Sequence, residues 1–171
     1  NAGHETTVLT MGNGIKALLE HQTPHDLLTP ERIETTVEEI LRFDPPLHMF
    51  TRYAYEDIEI EGHSLTRGDR IGLLIGSANR DGDAYLRPGT FDPARWAPTN
   101  TAFGGGTHFC VGAPLARLEL QTALPILFQR CPDLSLAETP VYANLYHFHG
   151  LERLMVTCAL PCSQPIKAAK T

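Results

Sequence analysis

A glycine-rich stretch with one cysteine, FGGGTHFCVG at residues 103–112, constrains the fold more than any other part of the sequence. Its glycines Gly104, Gly106 and Gly112 permit left-handed or crowded backbone, so we expect a tight loop with no Cβ in the way. The residues that follow, APLARLELQTALPILFQR, predict a helix that Pro125 bends or deprives of one hydrogen bond. Cys110 therefore lies at the start of a helix, where free N–H groups and the helix dipole stabilise negative charge.

This position suits a metal ligand, because the ligating form of cysteine is the thiolate. One cysteine alone is enough for a cofactor that carries its own four in-plane ligands, and haem is such a cofactor. The competing interpretation is a buried structural cysteine in a glycine-rich loop. A structural zinc site is disfavoured, because the chain has no two-plus-two Cys/His spacing.

Composition narrows the classes of partner. The chain has 171 residues, 42% of them apolar, which is enough for one domain with a core. A formal charge of −6 and the absence of a Lys/Arg block argue against nucleic acid or an anionic membrane as partner. No window approaches the run of about 18 apolar residues that a membrane span needs, and no signal peptide is recognisable. These features predict a cytoplasmic protein.

The cysteines are dispersed along the chain. This spacing fits reduced thiols better than a disulfide framework, although the last two are close enough to pair if oxidised. The positions are Cys110, Cys131, Cys158 and Cys162.

Two helices are expected before the glycine-rich loop. The first should end near His21. It begins without a lead-in loop, as if the chain were cut inside a helix. Its apolar positions are Val8, Met11, Ile15, Leu18 and Leu19. Two glycines inside it, Gly12 and Gly14, predict close packing against a neighbour. The second begins at Thr29-Pro30-Glu31 and ends before Pro45-Pro46, with one apolar face formed by Ile33, Val37, Ile40 and Leu41.

The rest of the chain predicts short strands and loops. Residues 49–76 alternate in polarity and favour a small antiparallel sheet. Residues 77–106 are dense in Gly, Pro, Asp and Asn, which predicts a long loop with one short helix at residues 81–86. In the third helix we expect one stripe of Leu115, Leu118, Thr122 and Ile126, and beyond it two strands around a turn at Gly150. Residues 161–171 are expected to form a flexible tail.

The glycine-rich loop resembles the haem-ligand loop of the cytochrome P450 family. The family spacing F-G-x-G-x-H-x-C-x-G is matched by Phe103, Gly104, Gly106, His108, Cys110 and Gly112, and LAR at residues 115–117 continues it in the bacterial style. Further stretches agree in order and direction: the E-x-x-R helix in EEILRFDPP, the arginine of FDPARW, and the oxygen-activation segment AGHETT. The resemblance covers only the C-terminal part of a family member.

The resemblance implies a fold class of α+β, mainly helical, comprising the C-terminal part of a cytochrome P450 fold. Its elements are the end of the central helix, the E-x-x-R helix, a small antiparallel sheet, the haem-ligand loop and the helix after it. Residues 1–160 would form the haem-binding portion. The substrate-recognition half would be absent.

The resemblance also implies roles for individual residues. Cys110 would be the axial ligand of the iron in iron protoporphyrin IX, and the other cofactor-binding residues would be His108, Arg52, Phe103, Gly104, Gly106, Gly112 and Gly3. Of these, Gly3 would leave room for O₂, whereas Arg52 and His108 would contact the propionates, unless they are ordinary surface cations. Glu5 and Thr6 would relay protons for O–O cleavage; without that chemistry they would be ordinary residues of a helix surface. His147 and His149 share a strand face, but a metal site there is disfavoured.

Glu39, Arg42 and Arg95 match the structural ion-pair triad of the family. Spacing alone favours a solvated pair between Glu39 and Arg42 on the polar side of their helix. The resemblance instead implies that both lock onto Arg95 and brace the loop that holds Cys110. A forked guanidinium suits such a bidentate contact better than lysine does.

These features predict a haem-thiolate monooxygenase module that oxidises a small apolar substrate with O₂ and electrons from a ferredoxin-type donor. Apolar faces left without the other half would favour self-association or a companion N-terminal chain. The alternatives are a non-catalytic haem-binding remnant that acts as an interaction protein, and a structural domain without a cofactor.

Overall fold

The computed structural model describes residues 2–95 and 100–159, and three long helices form its core. The helices are α1 (Ala2–Glu20), α2 (Ile33–Phe43), the short α3 (Ile75–Ala78) and α4 (Ala113–Arg130). Helices α1, α2 and α4 pack against one another pairwise. In the described part of the chain, none of the helices has the length and apolarity needed to span a membrane.

Helix α2 lies at the centre of this core. Its predicted apolar face is confirmed, because Ile33, Val37, Ile40 and Leu41 are all buried. The helix begins later than the sequence suggests, since Thr29-Pro30-Glu31 forms a turn in which the Thr29 carbonyl accepts from the Ile33 N–H at 2.9 Å. It ends at Phe43, before the two prolines that cannot continue it.

Helix α1 packs closely on α2. A Cβ at Gly14 would lie 3.1 Å from the Ile40 side chain, which explains this glycine; Gly12 has no comparably close neighbour. The predicted apolar stripe is only partly buried, because Val8 is exposed whereas Leu18 is in the core. The buried face instead includes Thr10 and Asn13; the Thr10 hydroxyl donates to the Thr6 carbonyl, and Nδ2 of Asn13 donates to the His149 carbonyl. Apolar periodicity alone could not show this.

The predicted stripe of α4 is wrong. Leu115, Leu118 and Ile126 are exposed, and the buried residues of the helix are Ala113, Leu120, Leu124 and Phe128. Apolar residues occur on both sides of this helix, so the pattern did not indicate which side faces α1 and α2. The helix continues through Pro125.

The predicted small sheet consists of two antiparallel ribbons. Strand β1 (Phe50–Tyr53) pairs with β4 (Arg70–Leu73), and β2 (Ile58–Ile60) pairs with β3 (His63–Leu65). The tight turn between β2 and β3 uses positive φ angles at Glu61 and Gly62.

The short helix expected at residues 81–86 is wrong. These residues form turns, in which the Asp81 carboxylate accepts from the Asp83 N–H at 2.9 Å and competes with helix formation. A one-turn helix occurs instead at α3, directly after β4.

The C-terminal region contains four short strands. Strand β5 (Ser135–Leu136) pairs with β8 (Val156–Thr157), and β6 (Val141–Tyr142) pairs with β7 (Leu151–Arg153). The expected turn at Gly150 is wrong, because this glycine directly precedes β7 and lies buried against α1. The predicted tail at residues 161–171 lies outside the described residues.

A buried ion pair on α2 connects this helix to the long loop. Arg42 and Glu39 are 1% and 3% exposed, so they are not the solvated pair that spacing alone favours. Arg42 donates to both carboxylate oxygens of Glu39, from Nε at 2.7 Å and from Nη2 at 2.8 Å. Its remaining N–H groups donate to the carbonyls of Asn79 at 2.8 Å, Pro88 at 2.9 Å and Thr90 at 3.1 Å.

Arg95 joins the same carboxylate. Its Nε lies 3.3 Å from Oε2 of Glu39, and its Nη atoms donate to the carbonyls of Leu86, Arg87 and Thr90. Glu39 also accepts from the Asp92 N–H at 2.8 Å. The three charged side chains thus organise residues 79–95, a segment with little regular secondary structure.

We predict that Arg42→Lys destabilises the protein strongly. Lysine cannot form the fork to Glu39 and satisfy three carbonyls, so buried polar groups lose their partners and the free energy of unfolding should fall by about 3 kcal/mol. Urea unfolding measures this, with Arg67→Lys on an exposed turn as control. A loss below about 1 kcal/mol for Arg42→Lys would contradict the prediction.

We also predict that Gly150→Ala is destabilising. A Cβ at this position would lie 2.2 Å from Cδ2 and 2.9 Å from Cγ of Leu9, so the Leu9 side chain must leave its place or the two segments must move apart. The expected loss is about 1–3 kcal/mol by urea unfolding. Gly82→Ala, where a Cβ meets nothing within 4 Å, is the matched control. Equal stabilities of the two variants would show that the close contact has no cost.

Candidate functional site

An apolar cavity of about 330 Å³ lies between α1, α2, the start of β1 and the glycine-rich loop. This volume lies within the range of about 300–1,000 Å³ that is usual for ligand sites. Its lining includes Glu5, Thr6, Thr10, Pro46, Leu47, Phe50, Phe103, His108, Cys110 and Phe148. Segments from both ends of the chain therefore meet at one cavity.

Cys110 faces this cavity from the N-terminal end of α4. Its N–H donates to the Phe103 carbonyl at 3.0 Å, and its carbonyl accepts from the Ala113 N–H at 3.2 Å. These bonds close the loop on itself and connect it to the first turn of the helix. Cys110 remains exposed, so its sulfur is accessible from the cavity.

Two of the loop glycines are required by backbone conformation. Gly104 and Gly106 have φ angles of +73° and +62°, which disfavour any residue with a Cβ. Gly112 differs from the expectation, because its φ is −83° and a Cβ there would meet only the Cys110 sulfur, at an ordinary 3.8 Å. In this structure neither backbone strain nor crowding explains Gly112.

Two asparagines that the sequence analysis missed hold the start of the loop. Oδ1 of Asn79 accepts from the Thr101 N–H at 2.8 Å and from the Thr101 hydroxyl at 2.7 Å. Oδ1 of Asn100 accepts from the Ala102 N–H at 3.0 Å, and its Nδ2 donates to the Glu38 carboxylate at 2.9 Å. Because Arg42 binds the Asn79 carbonyl, the buried ion pair reaches the loop through Asn79.

Arg117 of α4 is a further residue that sequence reasoning did not assign. Its guanidinium pairs with the Glu38 carboxylate and lies 4.6 Å from the centre of the Phe103 ring. The hydrogen bond to Glu38 raises the pKa of Arg117, so the charge of this side chain is permanent. The position i+7 after Cys110 gives only a weak signal for this role, because the partner lies on another helix.

The predicted residues of α1 divide between two sites. Glu5 and Thr6 line the Cys110 cavity. Gly3, expected near the iron, instead lines a separate groove between α1 and α4 together with Val8, Leu118 and other residues. The helix presents these residues to different neighbours because they point around its axis at about 100° per residue.

Arg52 does not line the Cys110 cavity. It lies in an adjoining cleft that shares Leu47, Phe50 and Phe148 with the cavity, and its Nη1 donates to the Thr51 carbonyl at 2.9 Å. His108, by contrast, lies in the cavity itself. The structure therefore places His108 on the same cavity as Cys110, and Arg52 in the adjoining cleft, with its guanidinium 5.9 Å from the centre of the Phe50 ring.

The cavity has the donor set that haem requires. A flat macrocycle with its own in-plane ligands needs an apolar slot and one axial ligand, and Cys110 is an accessible thiol on such a slot. Gly104 and Gly106 leave no Cβ on the loop beside it. Across residues 2–95 and 100–159 no cluster of three or more His, Cys, Asp or Glu residues could hold a bare metal ion, including around His147 and His149.

Comparison with known proteins is consistent with this site. The family model described as Cytochrome P450 matches residues 31–138. The biotin biosynthesis cytochrome P450 of Bacillus subtilis (strain 168) is 44% identical over 161 residues, which cover 91% of this chain and 40% of that protein. Vitamin D(3) 25-hydroxylase of Pseudonocardia autotrophica is 42% identical over 162 residues, again with 91% and 40% covered.

Solved structures show the same relationship in three dimensions. One of them is the crystal structure of P450BioI in complex with hexadec-9Z-enoic acid ligated acyl carrier protein. It superposes with a TM-score of 0.88 at 43% identity, and the matched region covers 92% of this chain and 42% of the P450BioI chain. The polyketide synthase cytochrome P450 PksS of Bacillus subtilis 168 gives 0.88 at 42% identity, with 93% and 42% covered. The chain spans about 40% of the length of the curated relatives it matches.

The fold is therefore a part of the P450 fold, and haem is the defining cofactor of the proteins it resembles. By its family-model match, its relatives and its neighbouring structures, this chain belongs to the cytochrome P450 family.

Proposed function

We propose that the chain is the haem-thiolate portion of a monooxygenase, in which the Cys110 sulfur would bind the haem iron. The observation that carries this proposal is the accessible Cys110 sulfur on an apolar cavity whose lining also includes Glu5 and Thr6. Haem bound there would supply the activation of O₂ with two electrons. In the balanced reaction one oxygen atom enters a C–H bond of the substrate, and the other leaves as water after the uptake of two protons.

The residues of the loop hold the cofactor in this proposal. Phe103 provides an apolar contact, and Gly104 and Gly106 allow the backbone to approach a flat ring closely. His108 would donate a hydrogen bond to a propionate from within the cavity, and Arg52 would do so from the adjoining cleft. None of the four glycines that the family pattern includes lines the cavity itself, and among them only Gly104 and Gly106 have the positive φ angles that set the path of the loop; the other two are Gly3 and Gly112.

Glu5 and Thr6 deliver protons in the proposed reaction. A carboxyl group next to a hydroxyl can pass protons through water, and both side chains lie at the cavity. Thr6 Oγ1 would position a water that passes each proton on to the oxygen being reduced, and the exposed Glu5 carboxyl would take up the replacement protons from solvent.

Glu39, Arg42 and Arg95 act through structure in this proposal. Their network fixes residues 79–95, and Asn79 transmits that order to Thr101 at the start of the loop. The triad thus keeps the Cys110 sulfur in a position where it can bind iron, without touching the reacting atoms.

The proposed substrate is small and apolar, because it would bind in the part of a mostly apolar cavity that the haem leaves free. A ferredoxin-type protein supplies the electrons, and the cytoplasm, where thiols stay reduced, is the proposed location.

The groove between α1 and α4 suggests that the chain does not act alone. Leu118 is 59% exposed, and Val8, Leu115 and Ile126 are also exposed on these two helices. Exposed apolar side chains on adjacent helices favour association. We propose that a second copy or a companion chain covers this groove.

Replacing Cys110 by serine tests the proposed ligand. We expect the reduced, CO-bound absorption spectrum of the haem-loaded chain to show a thiolate-type Soret band that Cys110→Ser loses, because a serine hydroxyl is a poor iron ligand. Cys131→Ser at the end of α4 is the matched control and should keep the band.

The same samples separate the proposal from its alternatives. Haem uptake without product when electrons are supplied would favour a non-catalytic haem-binding remnant. A purified chain that takes up no haem would favour a structural domain without a cofactor. A Soret band unchanged in Cys110→Ser would overturn the assignment of the ligand.

Sedimentation tests the proposed association. We expect the wild-type chain to sediment as an oligomer or a complex, and Leu118→Gln to shift it toward monomer by about tenfold in dissociation constant, because a central apolar contact is lost. Tyr55→Gln, which alters a residue 92% exposed in the bend between β1 and β2 and absent from the groove lining, should change nothing. A wild-type chain that is monodisperse and monomeric at low concentration contradicts the proposal.

A further inference from the structure

A second polar cluster lies at the C-terminal end of α2. The Asp44 carboxylate, at the C-cap of the helix, accepts from the Tyr142 hydroxyl and lies 2.8 Å from Nε2 of His149. Asp44 is 4% exposed, so these two partners replace water for a nearly buried charge. Asp44, Tyr142 and His149 are called the clasp below.

The rings of the clasp are stacked as well as hydrogen-bonded. The Tyr142 and His149 ring centres are 4.1 Å apart with planes inclined by 15°. Burial, and then the hydrogen bond to Asp44, raises the pKa of Tyr142, so its hydroxyl stays a neutral donor. The clasp therefore has a defined geometry on two elements, the end of α2 and the β6–β7 hairpin.

Asn13 of α1 fixes the backbone behind the clasp. Its fully buried Nδ2 donates to the Asp44 carbonyl at 3.2 Å and to the His149 carbonyl at 2.8 Å. One side chain thus joins three segments of the chain, which brings the end of α2 and the hairpin to a common position against α1.

The clasp adjoins one wall of the Cys110 cavity. The His149 N–H donates to the Pro46 carbonyl at 2.8 Å, and the His48 N–H donates to the His147 carbonyl at 3.3 Å. Between these bonds Leu47 and Phe148 form an isolated antiparallel bridge, and both side chains line the cavity. This bridge belongs to no longer strand, so few backbone hydrogen bonds hold it. Its position therefore depends on the residues that anchor the two segments on either side of it.

We propose that the clasp positions the Leu47–Phe148 wall and thereby sets how tightly the Cys110 cavity holds the apolar part of a ligand. The clasp residues are positioning residues, because the clasp is joined to the wall through the backbone bond between His149 and Pro46, and none of its three residues lines the cavity. The proposal deepens the proposed function, and it rests on that function for the use of the cavity.

Amide hydrogen exchange on the purified chain tests the structural half without any cofactor. In His149→Ala, the protection of amides in residues 46–50 and 146–150 should fall by about tenfold, because the bridge loses an anchor, whereas α4 should be unchanged. His149→Gln can still donate to Asp44 and should retain most of the protection. His63→Ala, on the exposed β3 strand, is the matched histidine control.

A pair of iron-binding probes tests the functional half on the haem-loaded chain. Imidazole occupies only the space at the iron, whereas 4-phenylimidazole adds a ring that reaches a cavity wall. We expect His149→Ala and Tyr142→Phe to raise the dissociation constant for 4-phenylimidazole by about fivefold, with that for imidazole within about twofold of wild type. Spectral titration measures both constants.

The two halves fail separately. Unchanged exchange in residues 46–50 and 146–150 of His149→Ala would overturn the clasp, whatever the chain binds. If amide protection falls but the dissociation constants for imidazole and 4-phenylimidazole change equally, the clasp is a purely structural anchor and its positioning role is overturned. If the wild-type chain binds no haem, the proposed function fails, and the inference about the ligand fails with it, while the exchange result still decides the structural half.

Discussion

The buried carboxylate of Glu39 is the constraint on which the arrangement of this chain depends. A charge removed from water is costly unless it is paired and hydrogen-bonded, and Glu39 meets both conditions through Arg42, Arg95 and the Asp92 N–H. Arg42 uses its other N–H groups on carbonyls of residues 79–90. A segment with little regular structure thereby acquires a fixed path. Breaking this network would release the segment that connects β4 to the glycine-rich loop.

Three acidic residues of helix α2 and its C-cap bind the segments that surround the cavity. Glu38 pairs with Arg117 on α4 and with Asn100 at the start of the loop. Glu39 holds the segment before the loop, and Asp44 at the C-cap holds the C-terminal hairpin. The sulfur and the Leu47–Phe148 wall are thus anchored to the same helix. A cavity assembled from distant segments can keep its shape because these segments are bonded to one rigid helix.

Patterns within short stretches predicted much of the fold and of the candidate site. The α2 face, the antiparallel ribbons and the turn-forming loop glycines Gly104 and Gly106 all follow from local periodicity or backbone preference. The buried side of α4 did not follow, since Leu118 and Leu120 are equally apolar and only the neighbours of the helix decide which is covered. The placement of Gly3 and Arg52 outside the Cys110 cavity was equally invisible in the sequence.

The sequence by itself determined where the proposed cysteine ligand lies, which loop presents it and which family the motif resembles. Those properties reside in contiguous residues whose spacing is fixed by the backbone. Only the tertiary structure decided that Asn79 holds Thr101 and that His149 pairs with Asp44. Asn13 and His149 are 136 positions apart, and no local spacing encodes such a contact. Whether a polar side chain is buried, and with which partner, depends on how distant segments pack.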